Sequence, residues 1–132
     1  MKKVLLVLAV AVLLWACTLD QTGHFVAARV EISDFYYEFP TSDYLKVVYE
    51  ITNIGNLPID YYEVYFEVCL IDGSKTTDFD NGVNLLVGNK RKDTTYIYTQ
   101  GKAIKSVNPV KVRAVNIEYG IDVICTPQLT ER

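Results

Sequence analysis

The chain reads as all-β, an immunoglobulin-like antiparallel β-sandwich of about seven strands, and three observations carry that reading. Apolar residues recur with period two, tyrosines and β-branched residues are abundant, and clusters of turn-forming residues divide the chain at short intervals. A small closed barrel is the other arrangement this pattern allows.

The elements follow in order. Val26, Ala28, Val30 and Ile32 alternate with Ala27, Arg29 and Glu31. Leu45, Val47, Tyr49 and Ile51 alternate with Lys46, Val48, Glu50 and Thr52. Val64, Phe66, Val68 and Leu70 alternate with Glu63, Tyr65, Glu67 and Cys69. Each stretch is a strand with one apolar face. Thr94–Gln100, Val110–Tyr119 and Ile121–Cys125 read as later strands. In the Val110 strand the apolar residues move from even positions to odd ones, which predicts a bulge or burial on both faces. Turn signals lie at Asn53–Pro58, Asp72-Gly73-Ser74, Asp80-Asn81-Gly82, Gly88-Asn89, Gly101-Lys102 and Asn108-Pro109.

The first residues obey a different rule. Met1-Lys2-Lys3 precedes an uncharged run from Val4 to Ala16, which ends at Cys17. A spanning helix needs roughly 20 apolar residues, so the run is too short to cross a bilayer and reads instead as a secretory signal. Leu14-Trp15-Ala16-Cys17 resembles the bacterial lipobox. That resemblance implies removal of residues 1–16, a diacylglycerol on the Cys17 thiol, palmitate incorporation, and a membrane anchor. It places the protein in the cell envelope, and Thr18 after the cysteine implies the outer membrane facing the periplasm in a Gram-negative source. We therefore expect a signal peptide over 1–16, a lipidated tether over 17–24 and a sandwich domain over 25–132.

Without residues 1–16 the chain keeps 116 residues, enough for one domain with a modest core, and its formal charge moves from −3 to −5. A mildly acidic balance argues against a nucleic-acid partner. Export means an oxidising compartment. With Cys17 acylated, Cys69 and Cys125 remain, and we expect them to be bonded or close.

Val47-x-Tyr49-x-Ile51-x-Asn53-x-Gly55, followed by Val68-Cys69-Leu70-Ile71-Asp72-Gly73, resembles the FxLYD domain of bacterial envelope proteins. Leu70 and Asp72 match that family's motif, while Val68 and Ile71 replace its Phe and Tyr. The layout is also similar to the late-embryogenesis-abundant sandwich. Both resemblances imply a fold and bring no catalytic residues with them.

Residues able to do chemistry are few. His24 is the single histidine, and the serines lie in no nucleophile elbow. Asp78-Phe79-Asp80-Asn81-Gly82 invites calcium, but position 6 is Val83 and position 12 is Asn89, so the EF-hand pattern fails and a plain turn is the better reading. We expect no metal, no cofactor and no catalytic residues. Candidate partner-binding residues are tyrosines near 35–39 and 61–65 (Tyr36, Tyr37 and Tyr61) and the basic stretch Lys90, Arg91 and Lys92 at a hairpin tip. The function this supports is a non-catalytic binding or assembly module, anchored by lipid and facing another envelope protein. The alternative is a small-ligand or glycan-binding lipoprotein.

Overall fold

The computed structural model describes residues 14–17 and 23–128. Most of the expected signal peptide and tether, 1–13 and 18–22, lies outside them. The described residues form eight strands and no helix: β1 (Leu14–Ala16), β2 (Ala28–Tyr36), β3 (Tyr44–Asn53), β4 (Ile59–Leu70), β5 (Lys75–Leu85), β6 (Lys90–Tyr98), β7 (Ile104–Asn116) and β8 (Ile121–Gln128). Two antiparallel sheets result, ordered β1-β8-β7-β4-β5 and β2-β3-β6. The chain crosses between the sheets from β1 to β2, β3 to β4, β5 to β6 and β6 to β7, and the other consecutive strands pair within a sheet, as in an immunoglobulin-like sandwich.

The core is the set of alternating residues that both sheets turn inward. Leu45, Val47, Tyr49 and Ile51 of β3 meet Tyr62, Val64, Phe66 and Val68 of β4, all buried. Burying such a side chain is worth about 1.5–3 kcal/mol. The Tyr49 and Phe66 rings pack edge to face with centroids 5.1 Å apart. The bulge of β7 does not fall where the apolar residues change parity, since Val112, Ala114 and Asn116 all turn inward; it lies earlier, where Lys111 pairs Tyr65 and Pro109 pairs Phe66, which leaves Val110 over. Pro109 has no N–H to give a ladder, and a bulge is where a sheet tolerates that. The strand starts at Ile104, well before the expected Val110.

Asn53 ties one end of the sandwich together. Its buried amide donates to Leu57 O (2.9 Å) and Leu85 O (3.0 Å), and its Oδ1 accepts from Gly55 N (3.0 Å). Gly55 lets the backbone pass close to β2's approach. A Cβ there would sit 2.7 Å from Ala27 N and Phe25 O, so only glycine permits the Ile54 N to Ala27 O and Asn56 N to Phe25 O bonds. Asn116 does similar work nearby, donating to Pro58 O and accepting from Tyr119 N.

Two expectations are corrected. Asp80-Asn81-Gly82 is no turn but the middle of β5, paired with β4 through Val64, Glu63 and Tyr62. Gly82 stands there because the Tyr62 ring packs over it, where any Cβ would overlap the phenol. Residues 14–16 form an edge strand on β8, with Trp15 packed against the core.

The second correction concerns the cysteines: Cys125 is bonded to Cys17, and Cys69 is a free, half-buried thiol. Alternation explains why Cys69 and Cys125 do not pair. Val68 and Leu70 point inward, so Cys69 faces outward, whereas Cys125 is fully buried on the inner face of β8. Strand β7 also separates β4 from β8. The Cys17–Cys125 bond spans 108 residues, a loop whose closure is worth about 4–5 kcal/mol in the chain-entropy model.

Candidate interaction faces

Outward positions of β2, β3 and β6 carry an aromatic cluster at the end of the sandwich opposite Asn53. The register sets Tyr44 beside Tyr98, and Lys46 between Tyr96 and Tyr36. Tyr36, Tyr44, Tyr96 and Tyr98 are 41%, 51%, 47% and 49% exposed, so about half of each ring faces solvent. The Tyr44 and Tyr98 centroids are 5.3 Å apart, and Lys46 Nζ lies 5.4 Å from the Tyr36 centroid. Glu38 holds the centre, accepting from Lys46 Nζ (3.0 Å) and Tyr96 Oη (3.3 Å). That hydrogen bond to Glu38, with a second to Tyr36, pushes the Lys46 ammonium's pKa up. Phe39 extends the apolar area in the following loop.

The outer face of the larger sheet is built differently. Tyr61 Oη and Tyr65 Oη both donate to Glu63, each at 2.7 Å, and Arg113 approaches Glu63 at 3.4 Å while forking onto Asp122 at 3.0 and 2.8 Å. The two phenol bonds, then Arg113, hold the Glu63 carboxyl below its ordinary range. Arg113 does the same for Asp122. Tyr65 stacks on Phe79 at 5.2 Å, with Lys111 Nζ 4.6 Å from the Tyr65 centroid. These charges stand near water, where such pairs are worth at most about 1 kcal/mol, and they order the rings more than they stabilise the fold.

The candidate residues therefore divide. Tyr36 belongs to the first face and Tyr61 to the second, on opposite sides of the molecule. Lys90 and Lys92 lie on the smaller sheet, beside Thr52 and Glu50, far along β3 from the tyrosines. The expected basic tip is in fact the start of β6, and Arg91 points inward across from Ile51. Its guanidinium donates to Val83 O (2.6 Å), Asn84 O (3.1 Å) and Tyr62 Oη (3.4 Å), closing the open edge between β5 and β6.

Tyr37 is an internal strut as well. Its hydroxyl meets Thr99 Oγ1 and donates to Lys102 O, and its ring packs on the core. Tyr37→Phe should cost about 1–2 kcal/mol and Tyr36→Ser less than about 0.5 kcal/mol in denaturant titrations.

Sequence reasoning named none of Tyr44, Tyr96 and Tyr98 as binding residues. Cross-strand register brings them together, and a single strand's alternation carries no register. Also unforeseen is Asp80, half-buried on the inner side of β5, which accepts from Tyr49 Oη at 2.6 Å. Burial pushes its pKa up, partly offset by the phenol bond. His24 packs against Tyr119 with the rings tilted by 40° and their centroids 4.6 Å apart. Among the described residues no group of three or more His, Cys, Asp or Glu could hold a metal ion.

No family model and no curated protein matches the chain. Solved structures similar to it include a protein from Bordetella pertussis described as ApaA, 15% identical with a TM-score of 0.44, covering 83% of this chain and 98% of that one. Another is a β-glucosidase from Listeria innocua in complex with gluconolactone, 15% identical with a TM-score of 0.41. That match covers 78% of this chain but 16% of the β-glucosidase. Likeness at this level carries no inference about activity or ligand.

Proposed function

We propose that this chain is a lipid-anchored cell-envelope protein whose sandwich is a non-catalytic binding module for another envelope protein. The observation that supports it best is the half-exposed cluster of Tyr36, Tyr44, Tyr96 and Tyr98, ordered around Glu38 and Lys46. Tyrosine brings a large contact area for little rotamer entropy, and rings already held by neighbours lose less on binding.

The anchor belongs at the other end. Gly23, where the tether joins the domain, accepts from Asn56 near Asn53, whereas the tyrosines sit at the start of β3. Ten residues of strand separate those ends, about 30 Å. A domain tied down near Gly23 thus presents its tyrosines away from the membrane. Confinement to the membrane plane raises the effective concentration of partners there, so a small interface suffices.

Cys17 has one sulfur, and a thioether and a disulfide are alternative uses of it. In an anchored chain Cys125 is a buried thiol; the Cys17–Cys125 bond belongs to a chain whose Cys17 carries no lipid. The FxLYD-like residues fit a scaffold role, since Asn53 and Gly55 shape one end and Leu70–Asp72 form the β4–β5 turn.

Cys17→Ser tests the anchor. It should abolish palmitate labelling and leave the protein soluble or unprocessed, and undiminished labelling would refute the reading. Glycan binding on the same rings is the second reading. Retention on peptidoglycan or polysaccharide, lost in Tyr44→Ser and Tyr98→Ser, would favour it over a protein partner.

A further inference from the structure

The edge of β8 carries a strand that the anchored chain would not keep. Residues Thr126–Gln128 extend past the last β7 partner, Cys125, and their ladder partners are Ala16, Trp15 and Leu14. Pro127 opposite Trp15 has no N–H, so the main-chain bonds of this edge fall to Thr126 and Gln128. Trp15, half-buried, lies against the core from the same edge.

We infer that β8 is a strand-addition site: leader residues 14–16 cover it in the full chain, and in the processed chain it takes an extended segment of a partner protein. This inference rests on the anchoring reading, because removal of residues 1–16 is what opens the edge. The occupant is specified by the segment now seated there. It runs antiparallel to β8, spans at least three residues and carries a large aromatic side chain at its centre. Main-chain bonds to Thr126 and Gln128 give affinity, and the surface vacated by Trp15 gives selectivity. The edge lies on the opposite sheet from the Tyr36, Tyr44, Tyr96 and Tyr98 cluster, so the two sites are separate.

The test compares two forms of the whole protein in detergent: the processed form from membranes, verified by intact mass, and the unprocessed Cys17→Ser chain. The probe is a blocked peptide of sequence Val12-Leu13-Leu14-Trp15-Ala16. Trp15 is the only tryptophan of the chain, so the processed protein has none and peptide fluorescence reports binding directly. The processed form should shift that emission to the blue in a saturable way. Amide exchange at Thr126 and Gln128 should slow about tenfold. A peptide with Trp15→Gly, read by amide exchange alone, should give no protection, and exchange in the unprocessed chain should not change when the original peptide is added. Absence of shift and protection in correctly processed protein would overturn the inference while leaving the anchor intact. A processed protein that dimerises through β8 would overturn it in favour of self-pairing. A mass that still includes residues 1–16 would overturn the anchoring reading and this one together.

Discussion

Asn53→Ala should lower the unfolding free energy by about 3 kcal/mol and the midpoint of thermal unfolding by about 10–15 °C. The side chain is buried and answers three backbone groups at once: the carbonyls of Leu57 and Leu85 and the N–H of Gly55. Alanine leaves all three without that partner in a place water reaches poorly, and each orphaned group costs about 1–3 kcal/mol. The backbone would follow, since Asn53 also exchanges main-chain bonds with Gly88 and Asn89 across the β5–β6 turn. Asn56→Ala is the control. Its two side-chain bonds, to Phe25 N and Gly23 O, lie in exposed positions, and its loss should cost under about 1 kcal/mol. Circular dichroism melts of the two variants measure the contrast; equal shifts would remove Asn53 from its assigned role.

Gly82→Ala should cost about 2–3 kcal/mol, although it adds one methyl group to a strand that ordinarily gains from losing a glycine. The methyl would overlap the Tyr62 phenol, whose ring is fully buried and whose hydroxyl is held by Arg91. Neither the ring nor the paired backbone of β4 and β5 can retreat cheaply. Replacing Tyr62 by Leu removes the obstacle, so Gly82→Ala should cost much less in a Tyr62→Leu background. A double-mutant cycle on urea unfolding reads that coupling, and strict additivity would contradict the packing explanation.

Period two was enough to find β2, β3, β4 and most of β7, because each turns one apolar face to the core. It missed β5 because Asp78, Asp80 and Gly82 take the inward positions of that strand, at the margin where β5 approaches β6. A polar inward set ending in Asn-Gly has the chemistry of a turn. Only the close packing of Tyr62 makes glycine a strand residue there. For the cysteines, parity already grouped Cys69 with Glu63 and Glu67 on an outward face. The inward aim of Cys125 and the place of β8 beyond β7 depend on strand order, which no local pattern encodes. The same holds for the tyrosine cluster, assembled from three strands by register. Tyr37 and Arg91 look like surface residues in sequence, and become struts because chain ends and sheet edges need donors for free carbonyls.

The most direct test of the binding claim is photocrosslinking in intact cells from position 96, at the centre of the tyrosine cluster, with position 118 beyond β7 as the comparison site. The expected result is one dominant protein adduct from position 96, absent from position 118 and lost when Tyr44 and Tyr98 are both changed to serine, with the protein still in the membrane fraction. Equal adducts from both positions, or an adduct from position 96 unaffected by those substitutions, would contradict the assignment of the tyrosine face as the binding surface.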